Sequence, residues 1–163
     1  MTILFRDLET RSTVDLKSAG AHRYAAHPTT EVLCVGYAVD DGPAEIWLPE
    51  QPVPAPFLEA ARDSEWLVIA HNDAFERAIE EHVLAPRHGW PLIPIAQHRC
   101  TMAMAMAAAL PGALEKAIAA LELPYAKDKA GAALMRRMAK PRPDGTLYRR
   151  SRFPRAALSI LPQ

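Results

Sequence analysis

Hydrophobic residues in the first fifty positions fall into three short runs of strand-like composition. The runs are Thr2–Leu8, Glu31–Val39 and Ala44–Leu48. Short apolar runs rich in β-branched and aromatic residues, bounded by turn formers, are typical of buried strands. An Asp-Gly pair at positions 41–42 separates the second run from the third and predicts a hairpin. We therefore expect the chain to begin as three antiparallel strands.

Beyond the hairpin, strand and helix patterns alternate. Residues 10–29 are polar and mixed, and we predict a loop there with at most one helical turn. The later predicted elements are a helix over residues 56–62, a strand over 66–70, a helix over 73–84, a short edge strand within 93–100, and helices over 101–110, from 114 onward and over 130–138. Strands followed by alternating strand and helix predict an α/β sandwich with a mixed central sheet.

Two of the predicted helices carry an apolar stripe that we expect to face the core. The stripes are Phe75, Ile79 and Val83 in one helix, and Leu114, Ile118 and Leu121 in the other. Thr101 stands at the start of an Ala/Met-rich helix, where a hydroxyl group can cap the first turn. These patterns predict where the helices pack.

Composition places the chain among globular proteins of one domain. It has 163 residues, of which half are hydrophobic and 23% are charged. No apolar stretch is long enough to span a bilayer, and the first eight residues carry charge too early for a signal peptide. Cys34 and Cys100 are far apart and have no CxxC spacing, so we read them as reduced thiols. We therefore expect a cytoplasmic protein with no membrane partner.

Charge is distributed unevenly along the chain, although the net charge is zero. Residues 1–115 hold 8 Lys/Arg and 16 Asp/Glu, whereas residues 116–163 hold 11 Lys/Arg and 3 Asp/Glu. A basic segment beside an acidic half would suit a polyanion that binds metal ions, but it would equally suit a solvated basic tail. We predict a folded domain over residues 1–140 and an irregular, Pro/Arg-rich basic tail over residues 141–163.

Acidic residues follow two of the predicted core strands. Asp7 and Glu9 end the first strand, and because residues i and i+2 share a face, their carboxylates should point the same way. Asn72, Phe75 and Glu76 follow the strand over 66–70. Mg²⁺ is usually held by one or two carboxylates together with substrate phosphates, so the pattern favours phosphoryl-transfer chemistry. Taken singly, the acids could simply face solvent, Asn72 could be a helix cap and Phe75 could be core.

Together, these residues resemble a known pair of motifs. Asp7-Leu-Glu-Thr10 matches D-x-E-T, and Asn72-x-x-Phe75-Glu76 matches an Asn followed by Phe and an acid. The chain is similar to the 3′–5′ exonuclease domain of the DnaQ-like, RNase H-like superfamily. More narrowly, it resembles the N-terminal exonuclease region of phage-type family A DNA polymerases. The similarity extends over about residues 1–145 and includes Arg23–Pro28 and Lys127–Gly131.

The resemblance implies a site and a reaction. Asp7, Glu9 and Glu76 would hold two Mg²⁺ or Mn²⁺ ions, one activating a water and the other steadying the leaving 3′ oxygen. Thr10, Asn72 and Phe75 would position the terminal nucleotide of a single-stranded DNA 3′ end, and a polymerase domain would be a partner. Glu76 stands where Asp is commoner in the superfamily. The implied function is proofreading-type, metal-dependent hydrolysis of the 3′-terminal phosphodiester.

The superfamily's third acidic motif, Tyr-x-x-x-Asp or His-x-x-x-x-Asp, is not found in this sequence. Tyr125 and Asp128 are one residue too close, and no acid follows Tyr148. We expect either that the chain ends before this motif or that its end has diverged, and that the C-terminal helix of the fold is missing. A catalytically incomplete nucleic-acid-binding fragment of the same fold is therefore the alternative. A third hypothesis is an unrelated α/β hydrolase, which would fail if Asp7, Glu9 and Glu76 do not converge in the structure.

Overall fold

A five-stranded mixed sheet forms the centre of the molecule. The computed structural model describes residues 1–124, 133, 135 and 137–147. The strands are β1 (Thr2–Arg11), β2 (Glu31–Val39), β3 (Glu45–Trp47), β4 (Trp66–Ala70) and β5 (His98–Cys100), in the order β3-β2-β1-β4-β5. β1 pairs antiparallel with β2 and parallel with β4. The predicted mixed α/β sheet and its antiparallel three-stranded start are both confirmed.

Short helices connect and flank the strands. They are α1 (Leu16–Ala19), α2 (Ala21–Ala25), α3 (Ala55–Ala60), α4 (Asp73–Ile79), α5 (Ala85–His88), α6 (Thr101–Ala107) and α7 (Leu114–Ala120). A π-helical segment, Glu80–Leu84, joins α4 to α5 without a break, and a 3₁₀ turn, Ile95–Gln97, precedes β5. The predicted strand over 66–70 and the helices near 56–62, 73–84, 101–110 and 114 all appear, with small differences at their ends.

Aromatic side chains fill the core beneath the β2–β3 hairpin. Phe57 from α3 is fully buried, and its ring centroid lies 4.2 Å from that of Trp90. Trp47 from β3 packs edge-on against Trp90, with centroids 4.9 Å apart. Trp47 also donates its indole N–H to the carbonyl oxygen of Pro52 at 3.0 Å. These contacts fix the outer hairpin to the helical layer.

The first strand is longer than the sequence pattern indicated. It continues beyond Leu8 to Arg11, so Asp7 and Glu9 lie inside the strand and not at its end. Tertiary pairing explains the extension, because Arg11 pairs with Glu31 of β2 and forms an ion pair with it at 2.6 Å. A register shift between Glu9 and Thr10 marks an irregularity at this point.

Residues 10–29 contain two short helices, which the prediction of a loop with one turn missed. Asp15 caps α1 by accepting a hydrogen bond from the Ser18 backbone N–H at 3.0 Å. Tyr24 and Ala25 of α2 are buried against the core. Because these few apolar positions have no helical repeat in the sequence, packing against the sheet and α4 determines them.

Helix packing agrees with one predicted stripe and disagrees with the other. Ile79 and Val83 are buried as predicted, and Phe75 packs against the core. Leu114 and Leu121 are 51% and 52% exposed, so the second stripe is not buried. Thr101 is not the cap of α6. The cap position is Cys100, and the Thr101 hydroxyl lies 3.0 Å from His71 Nδ1.

Several predictions fall on the C-terminal segment. The helix expected over residues 130–138 lies partly outside the described residues, and most of the tail over residues 141–163 lies outside them. In the described part of the tail, residues 141–147, Arg142 N donates to the Thr146 carbonyl oxygen at 2.8 Å in a tight turn. The boundary near residue 140 stays a prediction. Of the helices in the described part of the chain, none has the length and apolar character to cross a membrane.

Candidate active site

The central strand supplies the first two acids of the site. Asp7 pairs with Gly36 and Glu9 with Cys34 on the neighbouring strand β2. Alternation along β1 places their side chains on one face, and the side chains of Arg6 and the next even-numbered residues on the other. Asp7 is exposed and Glu9 is partly buried. The two predicted carboxylates are therefore accessible from one side of the sheet.

The third acid comes from the helix that follows the parallel neighbour strand. β4 runs parallel to β1, and Glu76 lies in the first turn of α4, just beyond the end of β4. Glu76 is only 3% exposed, and its Oε2 atom has no hydrogen-bond partner among the described residues. A buried carboxylate oxygen without a partner destabilises the fold, so this atom is a candidate ligand for a bound cation.

Electrostatics link Glu76 to the two acids of β1. Burial and then the negative charge of Asp7 raise the pKa of Glu76 to about 9, with Asp73 and Glu9 adding to the effect and Arg6 opposing it. Neighbouring carboxylates disfavour simultaneous ionisation unless a cation lies nearby. The three predicted acids are thus electrostatically coupled across two elements.

The carboxylate oxygens of the site are suitable ligands for a divalent cation, but they do not surround a metal position completely. Carboxylate oxygens and the unpartnered Glu76 Oε2 fit the preference of Mg²⁺ for hard oxygen ligands. Within the described residues, however, no three His, Cys, Asp or Glu side chains converge closely enough to enclose a metal ion. Any ion at this position would need oxygen ligands in addition to Asp7, Glu9 and Glu76, such as water or substrate phosphate.

Asn72 has an unusual backbone conformation at the start of α4. Its φ and ψ are 67° and 49°, in the left-handed region that Asn tolerates better than most residues. Its carbonyl oxygen accepts from Phe75 N at 2.9 Å. Asn72 occupies the cap position, but in the described structure its side chain makes no capping hydrogen bond. The Asn72 amide group therefore does not form the capping hydrogen bond that was the alternative explanation for this residue in the sequence.

Thr10 and Phe75 meet at a residue that the motifs do not include. The Thr10 hydroxyl lies 3.1 Å from the Tyr24 hydroxyl, and the Phe75 ring centroid is 6.0 Å from that of Tyr24. Burial and the nearby charge of Glu9 raise the pKa of Tyr24, although the hydrogen bond with Thr10 opposes this. Thr10 is itself buried, so its hydroxyl points inward to Tyr24.

A buried charge network, which the motifs did not predict, lies next to Glu76. The Arg6 side chain is fully buried, and its Nη2 donates to Asp73 Oδ1 at 2.8 Å, while Nη1 donates to Glu80. His98 Nδ1 lies 2.9 Å from Asp73 Oδ1. Burial lowers the pKa of Arg6, whereas the charges of Glu76 and Asp73 raise it. Burial would raise the pKa of Asp73, but His98 and Arg6 hold that pKa below its usual range.

This network ties the site's elements together. It links β1, α4, the π-helical segment and β5, because each contributes one member. Glu80 is the first residue of the π-helical segment, and such segments frequently occur at functional positions. The sequence did contain one signal for this network, because Arg6 is a charged residue between the apolar positions Leu4 and Leu8. Its partners could not be chosen from sequence.

His71 has a bridging role beside the second motif. Its Nδ1 lies 3.0 Å from the Thr101 hydroxyl, and its Nε2 lies 2.9 Å from the carbonyl oxygen of Gly112. Both ring nitrogens are thus engaged with the α6 region and the loop after it. His71 fixes the end of β4, from which Asn72 and α4 begin.

Comparison with known sequences gives a match to a viral polymerase. Over 124 residues, which are 75% of this chain and 18% of the relative, the sequence is 39% identical to a DNA polymerase of Bacillus phage SP02. The chain thus spans less than a fifth of the length of that polymerase. No protein-family model matches the chain.

Comparison of folds gives similar solved structures from Brucella melitensis. The protein NrnC bound to pGG matches with a TM-score of 0.51 at 17% identity, covering 78% of this chain and 56% of that chain. NrnC with bound Mg²⁺ matches with a TM-score of 0.50 at 16% identity, covering 97% and 72%. At this level of identity the likeness shows the fold, which is the α/β, RNase H-like one.

The fold and the sequence agree on one class of protein. The structural neighbours and the polymerase match together support a DnaQ-like exonuclease domain of the RNase H-like fold. This confirms the resemblance found in the D-x-E-T and Asn-x-x-Phe-acid motifs. The roles of Asp7, Glu9, Glu76, Thr10, Asn72 and Phe75 stay predictions.

Proposed function

We propose that this domain hydrolyses the 3′-terminal phosphodiester of single-stranded DNA as a metal-dependent 3′–5′ exonuclease of the proofreading type. One observation carries the proposal. The buried Glu76 Oε2 has no hydrogen-bond partner in the described structure, and the charges of Asp7 and Glu9 help to raise the pKa of its carboxyl group. Three coupled carboxylates with an unpartnered oxygen are stabilised by a cation.

The site residues divide into two roles. Asp7, Glu9 and Glu76 would hold Mg²⁺ or Mn²⁺, which when bound supplies an activated water and neutralises charge on the scissile phosphate. Asn72 and Phe75 would orient the terminal nucleotide, since the Asn72 side chain makes no cap hydrogen bond in the described structure and Phe75 is only partly buried. Thr10 would help to position the nucleotide from the core side of the site, because its buried hydroxyl interacts with the Tyr24 hydroxyl.

The comparisons support a nucleic-acid substrate. The matched relative is a DNA polymerase, and a structural neighbour was solved with pGG and with Mg²⁺. A polymerase body is the partner that this relative suggests for the present domain. The basic segment after residue 115 would add attraction for a polyanion.

The test is hydrolysis of a 5′-labelled single strand with Mg²⁺ or Mn²⁺. We expect a ladder that shortens from the 3′ end and disappears with EDTA. Asp7→Asn and Glu9→Gln should abolish it, because each removes a charge without changing shape. Glu59→Gln, an exposed acid on α3, is the matched control and should cleave normally. Equal activity in Asp7→Asn and Glu59→Gln would refute the assigned site.

A second candidate function is nucleic-acid binding without catalysis. It is favoured by the finding that, in the described part of the chain, no three ligand side chains form a metal cluster. In that case the labelled strand would bind, with affinity that falls steeply as salt increases, but would not shorten. The same assay therefore separates the two functions.

A further inference from the structure

Tyr24 lies between the two sequence motifs, although it belongs to neither. It projects from α2, is only 6% exposed, and its hydroxyl lies 3.1 Å from the Thr10 hydroxyl. Its ring is tilted by 44° against the ring of Phe75, with centroids 6.0 Å apart. A single buried side chain thus contacts one residue from each motif.

The backbone of Tyr24 is also held in place. The Thr30 hydroxyl donates to the Tyr24 carbonyl oxygen, and it lies 2.9 Å from the Ser12 hydroxyl. Ser12 in turn lies 3.2 Å from the Thr29 hydroxyl. This row of hydroxyl groups fixes α2 to the end of β1 and the start of β2. Tyr24 therefore has little freedom at either its backbone or its hydroxyl end.

The consequence concerns the spacing between the motifs. Thr10 follows a register shift in β1, and Phe75 lies on α4, so no regular hydrogen-bond ladder sets the distance between them. Tyr24 fills that gap with a rigid ring and a directed hydroxyl group. Groups that orient a substrate act best when their own positions are fixed by packing and hydrogen bonds behind them.

We propose that Tyr24 is a positioning residue for the 3′-terminal nucleotide, which holds Thr10 and Phe75 at a fixed separation without touching the nucleic acid. The inference rests on the proposed function and extends it to a residue outside the motifs. Because Tyr24 is buried, it acts through Thr10 and Phe75. A residue that only filled the core would not transmit its effect through the Thr10 hydroxyl.

The experiment is a double-mutant cycle between Tyr24→Phe and Thr10→Val. Each change removes one hydroxyl group and keeps nearly the same shape. The readouts are anisotropy of a fluorescein-labelled oligothymidylate in EDTA, and KM and kcat for its hydrolysis with Mg²⁺. We expect Tyr24→Phe to weaken binding and raise KM about fivefold, the value of one hydrogen bond, with a smaller change in kcat. In the Thr10→Val background, Tyr24→Phe should add nothing.

Two further variants make the test specific. Tyr37→Phe removes a hydroxyl that donates to Glu45 at 3.0 Å on the outer hairpin, and it should bind and cleave as the wild type does. Thr10→Ser keeps a hydroxyl within reach of Tyr24 and should retain affinity, so it preserves the test even if Tyr24→Phe does not fold. Thermal unfolding identifies variants that do not fold.

The outcomes separate the two proposals. If the wild type neither binds nor shortens the strand, the proposed function and this inference both fail. If the wild type acts and Tyr24→Phe matches Tyr37→Phe, only the inference fails. It also fails if the cost of Tyr24→Phe persists in the Thr10→Val background, or if Thr10→Ser loses as much affinity as Thr10→Val.

Discussion

Replacing Glu76 with glutamine should remove a pH-dependent cost to the stability of this fold. Glu76 is 3% exposed, and burial together with the charge of Asp7 raises its pKa from 4.5 to about 9. In the unfolded chain the same group has an ordinary pKa. Between these two values the unfolded chain loses a proton that the folded chain keeps, so the free energy of unfolding falls as pH rises.

The size of the effect follows from the shift in pKa. Each pH unit inside the window from 4.5 to about 9 lowers the free energy of unfolding by up to 1.4 kcal/mol. From about pH 6 to about pH 8 the wild type should therefore lose about 3 kcal/mol from this one group. Glutamine has nearly the same shape and no titratable proton, so Glu76→Gln should not lose this stability.

Urea denaturation in EDTA at a series of pH values measures the effect. The quantity to compare is the difference in free energy of unfolding between variant and wild type, because other groups titrate equally in both. We expect the Glu76→Gln variant to gain relative stability steadily with pH. Glu81→Gln, an exposed neighbour in the π-helical segment, should follow the wild type. A Glu76→Gln variant whose pH profile parallels that of the wild type would refute the reasoning.

Three other predictions concern metal, charge and packing. At pH values below the pKa of Glu76, Mg²⁺ affinity measured by calorimetry should increase by up to about tenfold for each unit that the pH rises, because binding must displace the proton of Glu76. A pH-independent affinity would contradict this. Arg6→Met should cost about 3–5 kcal/mol in urea denaturation, since it leaves Asp73 and Glu80 buried without their cation; adding Asp73→Asn and Glu80→Gln should recover part of the loss, and no recovery would count against the network. Phe57→Ala, at a position that is 0% exposed, should cost about 3–5 kcal/mol by the same assay, and a loss below about 1 kcal/mol would mean that the cavity collapses.

The strands were predictable because their signal is local. The apolar run at Trp66–Ala70 and the Asp-Gly hairpin specify backbone conformation through neighbours a few residues apart. The resemblance to exonuclease domains was equally readable, since it rests on short motifs. The length of β1 was not, because its last residues are held by pairing with β2, including the ion pair of Arg11 with Glu31.

Helix surfaces show where local patterns fail. The stripe of Ile79 and Val83 is buried, but Leu114 and Leu121 are largely exposed despite the same kind of spacing. Periodicity states which residues share a face of a helix. It does not state whether another element covers that face, because that depends on distant parts of the chain.

The sequence by itself determined the sheet-forming segments, the two motifs and the class of fold, because strand propensity and short motifs are properties of adjacent residues. Only the tertiary structure decided that Glu76 is buried within electrostatic reach of Asp7 and Glu9. It also decided that Arg6 pairs with Glu80, 74 residues away. The physical reason is that burial and charge pairing depend on which segments pack together, and any of 19 acids could have been the partner.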